Sequence, residues 1–390
     1  MNKKAIVYLV GLTAFFGPFT QTIYTPMLPQ IQEQYQTSEF VVNLTISVFV
    51  LGLALMQLVY GPLTDRMGRR KVLLPSVLVY IAASFGAALS STIEGLVFFR
   101  AMQAVGIASG SVVATTVIGD LYEGKMRGRA MGTFQMLVTM GPVVGPVVGG
   151  FVGEAAGVNG VFWVLTVGGV LLWLTVYRLL PETKPETSGG ERFSVRDFAT
   201  VLQDRVGSSI VMLGFVQYFT FYQFLVFLPV LLTSTYGLSA AENGLVFLPM
   251  SLFLVVGSNL GGRLQERVQT RKLLILTTSL NVAATVLFFL LAGVSLPVLI
   301  AVISVFGLCL GLSLPVQTTM LADAFSHNRA TAIGVYNFVR YMGMAAGPII
   351  GTVFHRMGHR MEFLFAAVLF ACVVLFAGRQ FVRLRQAMQG

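Results

Sequence analysis

Charged residues are spaced along this 390-residue chain so that uncharged runs of 20 residues or more recur almost from end to end. A helix that crosses the hydrocarbon of a bilayer needs about 20 apolar residues, each rising about 1.5 Å. Inside that hydrocarbon the backbone must satisfy its own hydrogen bonds, which a helix does. The runs at 5–32, 40–64, 72–93, 130–153 and 155–177 give spans 1, 2, 3, 5 and 6, and span 4, from 95 to about 122, is interrupted by Arg100. Runs at 206–241 and 243–262 give spans 7 and 8. The run at 273–322 would be about 75 Å long as one helix. It must fold back, and Gly293 to Pro297 is the turn that divides it into spans 9 and 10. Span 11 runs from 330 to about 354 and carries Arg340, and span 12 runs from 363 to near Arg379. The expected fold class is therefore an all-α membrane protein with 12 transmembrane helices. Composition agrees: 55% of residues are hydrophobic and 11% charged, against about a quarter charged in a soluble domain.

A net charge of +10 raises the question of nucleic acid, but a nucleic-acid binder gathers its bases on one soluble face. Here they occupy short loops. Twenty-two of the 26 lysines and arginines fall on one side of the twelve-span layout, Arg356 and Arg360 oppose them, and Arg100 and Arg340 lie inside spans. Loops rich in Lys and Arg stay cytoplasmic, so both termini are expected there, in the plasma membrane, with the lipid bilayer and not nucleic acid as partner. Lys3 and Lys4 precede an apolar stretch too long for a leader core and without a small-residue cleavage site, which reads as a retained span. Cys309 and Cys372 lie in apolar runs and read as small hydrophobes.

The longest loop is a polar Pro/Gly/Ser stretch, 181–205. It reads as a cytoplasmic linker between an N-terminal six-helix bundle, 1–180, and a C-terminal one, 206–390. A duplicated bundle should repeat its loop chemistry at a fixed offset. GPLTDRMGRRK at 61–71 maps by 201 residues onto GRLQERVQTRK at 262–272. Gly141, Gly145, Pro146 and Gly149 recur 202 residues later as Gly343, Gly347, Pro348 and Gly351. Parallel halves meeting at a cleft form a transporter architecture.

These residues resemble the major facilitator superfamily, and within it the twelve-helix drug:proton antiporters. The loop signature G-x-L-x-D-R-x-G-R-R/K stands between spans 2 and 3 as Gly61, Leu63, Asp65, Arg66, Gly68, Arg69 and Arg70. The span 5 antiporter signature G-x-x-x-G-P-x-x-G-G stands as Gly141, Gly145, Pro146, Gly149 and Gly150, with Pro142 beside it. The span 4 signature R-x-x-Q-G appears as Arg100 and Gln103, with Ala104 in place of the glycine. The resemblance covers the whole chain and implies the major facilitator fold, working as a monomer.

Asp65 lies past the end of span 2, where the helix dipole disfavours an acid unless a cation or another helix N-terminus compensates. The resemblance implies a gating loop in which Asp65 latches onto the cytoplasmic start of span 11, with Arg69 and Asp120 in the same cluster. The plainer reading is a solvated, orientation-setting loop. On span 5 the glycines permit close helix approach while the prolines remove donors and bend the rod. That arrangement serves either a moving seam or static small-residue packing.

Arg340 lies about 15 Å along span 11, near the bilayer midplane. A charge there faces a wet cavity or a partner, and no acid lies at comparable depth in the sequence. One reading is a central cavity whose ligand carries an anionic or strongly polar group. The other is an arginine satisfied by carbonyls and by side chains such as Asn337. Arg100 has two readings as well, proton handling or a structural hydrogen-bonding role. Span 1 carries Gln21 and Tyr24 and span 7 carries Gln217, Tyr218, Tyr222 and Gln223, polar tips suited to an amphipathic pocket. With Gln103, Gln317 and Asn337 these make up the expected substrate and proton pathway. Near relatives often carry an acid in span 1, where this chain has Gln and Thr.

His355 and His359 are four residues apart, but Arg356 stands where a metalloprotease would place its Glu. Two histidines alone make an incomplete metal shell, and they fit a short external loop with Glu362. No metal or cofactor is expected. No phosphate-binding G-x-x-x-x-G-K-S/T loop is present, so ATP is not the direct drive, and no nucleophile, base and orienting acid converge as in an enzyme. The family resemblance implies proton-coupled export of small amphipathic molecules, of the multidrug efflux type that confers antibiotic resistance. A metabolite or lipid transporter of the same fold without tight proton coupling is the alternative.

Overall fold

A computed structural model describes residues 3–184, 195–265, 267–325, 329–358 and 360–387. Among them every regular element is a helix. Twelve rods follow the expected order. They are α1 (Lys3–Gln34), α2 (Glu39–Met67), α3 (Arg69–Ala88), α4 (Ile93–Leu121), α5 (124–156), α6 (158–179), α7 (Arg205–Tyr236), α8 (Ala240–Leu264), α9 (Thr270–Leu291), α10 (Leu296–Ala324), α11 (Arg329–His355) and α12 (Met361–Ala387).

Three details differ from the charge-gap reading. α1 is not one rod. It breaks after Thr22 into a 3₁₀ turn, Thr25–Met27, and resumes at Leu28–Gln34, because Pro26 and Pro29 each lack a backbone donor. The α5–α6 reversal falls at Gly157 (φ 68°, ψ −173°) rather than beside Glu154. α5 runs parallel to α1, with Leu137 over Gly11 and Gly153 over Met27, whereas α6 runs back, with Asn159 near Gln34 and Gly168 near Phe16. α12 continues past Arg379 to Ala387.

The chain forms two compact units, Met1–Arg192 with Gly237–Leu245, and Phe193–Tyr236 with Val246–Gly390. The first buries Ile46, Phe49, Leu73, Tyr80, Val113 and Phe162 completely. The second centres on Ile210, Leu213, Leu274, Leu321, Val335 and Phe370. Near it Phe224 sits 4.2–4.9 Å, centroid to centroid, from Phe288, Phe306 and Phe363. Large apolar side chains such as Leu171, Leu290 and Leu375 are left more than half exposed, a surface that lipid rather than water solvates. Part of the expected linker, 185–194, lies outside the described residues; beyond it Val195–Gln203 is a short helix whose Val201 joins the second unit's core. Asp204 Oδ1 then caps α7, accepting from Val206 N at 2.9 Å and Gly207 N at 2.8 Å.

Candidate functional site

The loop signature folds into a clamp between α2, α3 and α4. α2 ends at Met67, and Gly68 takes φ 102°, ψ 157°, where a side chain is strained. The turn points Arg69 back under α2. Its side chain is 3% exposed and meets Asp120 on two prongs, Nε to Oδ2 at 2.9 Å and Nη2 to Oδ1 at 3.2 Å. Nη1 donates to the Thr64 carbonyl at 3.2 Å, and Asp65 Oδ1 stands 3.5 Å from Nη2. Asp65 thus lies in the last turn of α2 rather than past its end, and Arg69 is the cation that an acid there requires. Planar, two-pronged recognition of a carboxylate is what a guanidinium does and an ammonium does not.

A strap that the sequence did not reveal closes the clamp. Glu182 accepts from the Arg69, Thr183 and Lys184 amides on Oε1 at 2.9, 3.0 and 3.1 Å, and from the Arg70 amide on Oε2 at 3.2 Å. Burial pushes this carboxyl up, but the four backbone N–H groups outweigh it and hold it below the ordinary carboxylate range. A Cβ on Gly68 would stand 2.6 Å from Glu182 Oε2, so glycine is needed there for space as well as for φ. Thr183 Oγ1 donates to Asp120 Oδ2 at 3.0 Å, and Lys184 Nζ to the Arg66 carbonyl at 2.7 Å. Arg70 Nη2 donates to the Tyr177 carbonyl at 2.6 Å. The start of the supposed hinge is therefore a docked segment. Gly61 faces open space.

The span 5 signature packs on α1. Gly141 lies against Pro18 and Phe19, Gly145 against the Thr22 side chain, and Gly149 against Ile23, on whose carbonyl oxygen an added Cβ would land. Gly150 meets the Ala240 carbonyl at the start of α8, where Glu154 Oε2 accepts from Ser239 Oγ at 2.8 Å and Ala241 N at 3.2 Å. Pro146 is buried and Pro142 half-buried. The repeat copy does the same on α7, with Gly343 and Gly347 against the Phe215 and Phe219 carbonyls. The duplicated glycine pattern is thus a duplicated α1–α5 and α7–α11 contact.

Arg100 is fully buried in the first unit. Its guanidinium carbon lies 4.2 Å from the Tyr24 ring centroid and 4.1 Å from that of Phe49, and Nη1 donates to the Thr20 carbonyl at 3.2 Å and Gln103 Oε1 at 3.0 Å. Gln103 Nε2 passes on to Ser84 Oγ at 2.9 Å, and Tyr24 OH pairs with Thr45 Oγ1 at 3.0 Å. Ala104, standing where the signature has glycine, presses on Gly52 of α2, so the small partner is supplied from the facing helix. Gln21 is buried, and its Nε2 has no hydrogen-bond partner among the described residues.

The second unit holds Arg340 differently. It is half-buried in the middle of α11, with Nη1 donating to Tyr218 OH at 3.4 Å. Its guanidinium carbon stands 4.7, 5.6 and 5.9 Å from the ring centroids of Tyr218, Tyr341 and Tyr336. Nε has no hydrogen-bond partner, and no carboxylate lies within 4.0 Å, among the described residues. The tyrosine rings take the place that Asn337, also half-buried, was expected to share. Behind the cage runs a sealed network. Tyr336 OH donates to Gln317 Oε1 at 2.9 Å, Gln317 Nε2 donates to Gln217 Oε1, and Gln217 Nε2 donates to Ser313 Oγ. Gln217 and Gln317 have no exposed surface, and Tyr222 has 2%. His359 lies outside the described residues. His355 Nδ1 stands 3.1 Å from Glu362 Oε1, and Glu362 is buried in the first turn of α12 rather than displayed on a loop.

Comparisons with known proteins agree with this architecture. A family model described as Major Facilitator Superfamily matches residues 10–348 and 283–387. An uncharacterised MFS-type transporter, YdgK, of Bacillus subtilis is 26% identical over 360 residues, 90% of this chain and 89% of that protein. The multidrug transporter AQR1 of Candida glabrata and the citrate exporter 1 of Aspergillus niger are each 31% identical over 188 residues, 48% of this chain, and the matched parts span about a third of those longer proteins, 32% and 36%. The crystal structure of a bacterial homologue of the human lysosomal transporter Spinster, inward-facing and unoccupied, superposes with a TM-score of 0.83 at 18% identity, over 98% of each chain. With the family model covering most of its length, the chain is a multi-pass membrane transporter, not an enzyme, and it belongs to the Major Facilitator Superfamily.

Proposed function

We propose that this chain exports small amphipathic molecules across the plasma membrane by proton antiport, exposing its site to the two faces in turn. The observation that carries the reading is Arg340, a guanidinium in mid-span with three aromatic rings around it and, among the described residues, no carboxylate within 4.0 Å. A charge at that depth is expensive unless it works on a ligand or a cavity. The tyrosine faces and the guanidinium together suit a planar or apolar molecule bearing a carboxylate or another strongly polar group. AQR1 and the citrate exporter, partial relatives of the chain, carry names consistent with efflux of drugs or of an organic acid. In this reading Asp65, Arg69 and Asp120 serve the cytoplasmic gate, the α1–α5 seam moves, both termini are cytoplasmic, and one copy suffices. A facilitator of metabolites without tight proton coupling is the second reading, favoured by Gln21 standing in α1 where an acid would offer a proton site.

The test is flux in proteoliposomes with an imposed pH gradient, using fluorescein as anionic probe and ethidium as cationic probe. The reading expects fluorescein to accumulate only with the gradient, and Arg340→Ala to insert normally yet lose that accumulation. Gradient-independent equilibration by the unaltered chain would favour the facilitator, and normal transport by Arg340→Ala would remove the arginine from the site.

A further inference from the structure

The antiport reading lacks a proton carrier in α1, whose first segment, Lys3–Thr22, has no acid. Among the described residues one carboxylate is fully buried: Glu362, 1% exposed, in the first turn of α12. Oε1 stands 3.1 Å from His355 Nδ1, and Oε2 has no hydrogen-bond partner among the described residues. His355 closes α11, keeps about a fifth of its side chain exposed, and stacks on Phe227 of α7 at 5.1 Å. The turn between them is held by Gly358 (φ 157°) and Arg360 (φ 71°), which fold α12 back so that the carboxylate lies under the imidazole.

We propose that His355 and Glu362 form a proton-binding site, with the proton held either on the imidazole nitrogen or on the carboxyl oxygen. The proposal rests on the proton-antiport reading above. A buried carboxylate is tolerated beside a cation or when it carries its own proton. Histidine is the one partner whose charge changes near neutral pH. The pair therefore keeps one proton while it is closed from water. It can surrender that proton only when water reaches it, and the exposed fifth of the imidazole is the route. Binding forms one O–H or N–H bond, and release breaks it; nothing else changes. Of the charged and titratable groups around them, Arg360 is turned towards the Phe289 carbonyl at 3.4 Å, Arg356 follows His355 in the turn after α11, and His359 lies outside the described residues. α7 offers Tyr236, bonded to the Ala292 carbonyl at 2.7 Å, and Tyr222, about four turns earlier, and α9 offers no titratable group between 281 and 291.

Two measurements decide it. Dicyclohexylcarbodiimide attacks protonated carboxyls in apolar surroundings, so in the full-length membrane protein it should modify Glu362, more heavily as pH falls, as read by peptide mass spectrometry. A Glu362 left unmodified at every pH, or modified to the same extent throughout, would overturn the proposal without reference to any substrate. In proteoliposomes the isosteric Glu362→Gln should let fluorescein equilibrate but lose gradient-driven accumulation, and His355→Gln should shift the pH dependence of that accumulation. Accumulation by Glu362→Gln equal to the unaltered chain overturns the proton site and leaves the antiport reading standing. Failure of the unaltered chain to accumulate fluorescein or ethidium sinks that reading instead, and the carbodiimide result then judges the pair by itself.

Discussion

Replacing Glu182 with alanine isolates the strap, because its carboxylate touches backbone and not the Arg69–Asp120 pair. It removes acceptors for four amides, two of them, Arg69 and Arg70, in the first turn of α3, where no other helix residue can accept. An acidic N-cap contributes about 0.5–2 kcal/mol, and the field at a helix start about 0.3–1 kcal/mol more. The carboxylate is largely exposed, so screening keeps the total near the low end, about 1–2 kcal/mol. That is a five- to thirtyfold change in an opening equilibrium. Hydrogen exchange read by mass spectrometry on peptides covering 68–72 and 183–185 should speed up by about that factor, while the centre of α4 exchanges as before. Glu182→Gln keeps one acceptor oxygen but not the charge, and should lie between.

The pH dependence carries its own sign. The folded carboxyl is held below its ordinary value, so the strap's contribution is complete above the unfolded carboxylate value of about 4.3. It drains away as pH falls through the lower folded value. Protection at Arg69 and Arg70, corrected for intrinsic exchange, should stay level from neutral pH down to about pH 5. Equal exchange in Glu182→Ala and the unaltered chain, or protection lost between neutrality and about pH 5, would show that the carboxylate does not hold the turn.

Asp120→Asn leaves a nearly sealed guanidinium without its two-pronged partner and with only Asp65, 3.5 Å away, as an acid beside it; with Asp120 12% exposed, a cost of about 2–3 kcal/mol is expected in detergent thermal melts, and the double change to Arg69→Leu with Asp120→Leu should cost less than the two single changes combined. Gly149→Ala drives a methyl into the Ile23 carbonyl and should cost about 1–3 kcal/mol or block folding, whereas Gly132→Ala, which meets open space, should be neutral or stabilise by up to about 1 kcal/mol. Asp65→Asn, at a carboxylate 38% exposed, should slow turnover in proteoliposomes while leaving thermal stability and probe binding close to unaltered.

What was legible in the sequence is what solvent dictates. Charge cannot lie in hydrocarbon without a purpose, so charge spacing, with the Gly293–Pro297 turn dividing the longest run, located the twelve rods, and Arg340 stood out for the same reason. The glycine signature located a close contact because only a missing Cβ lets helices approach so nearly, although its partner, α1, had to come from the structure. Illegible were contacts that depend on where a loop returns. Pro181–Lys184 reads as polar linker, and nothing in four residues says that Glu182 reaches back more than 110 positions to cap α3. The sealing of Gln217 and Gln317 was equally hidden, since a polar tip in an apolar run looks alike whether it lines a cavity or meets another amide. Glu362 was visible but assigned to a loop, because one helical turn decides whether an acid at a span's edge lies in water or beneath its neighbour.

Comparing the two copies of the repeat separates what the fold requires from what this chain adds. By the 201-residue offset Gly68 corresponds to Gln269 and Arg69 to Thr270. At that place the second copy joins α8 to α9 with Gln269 at φ −55°, ψ 122°, and no side chain caps the new helix. Leu321 and Ala322 stand where Asp120 would be expected. Among the described residues the second copy thus starts its helix with neither a positive-φ glycine nor an arginine at the place of Arg69, while Glu266, the counterpart of Asp65, lies outside them. The glycine seams, by contrast, occur in both copies and press on the corresponding helix in each. A buried arginine is therefore not needed merely to join two spans, since the helix that begins at Thr270 starts without one. The chain thus places a buried charge pair, with its desolvation cost, at one of two equivalent turns. Under the proposed gate role, Asp65 and Asp120 are expected to separate: the exposed acid by turnover, the buried one by stability.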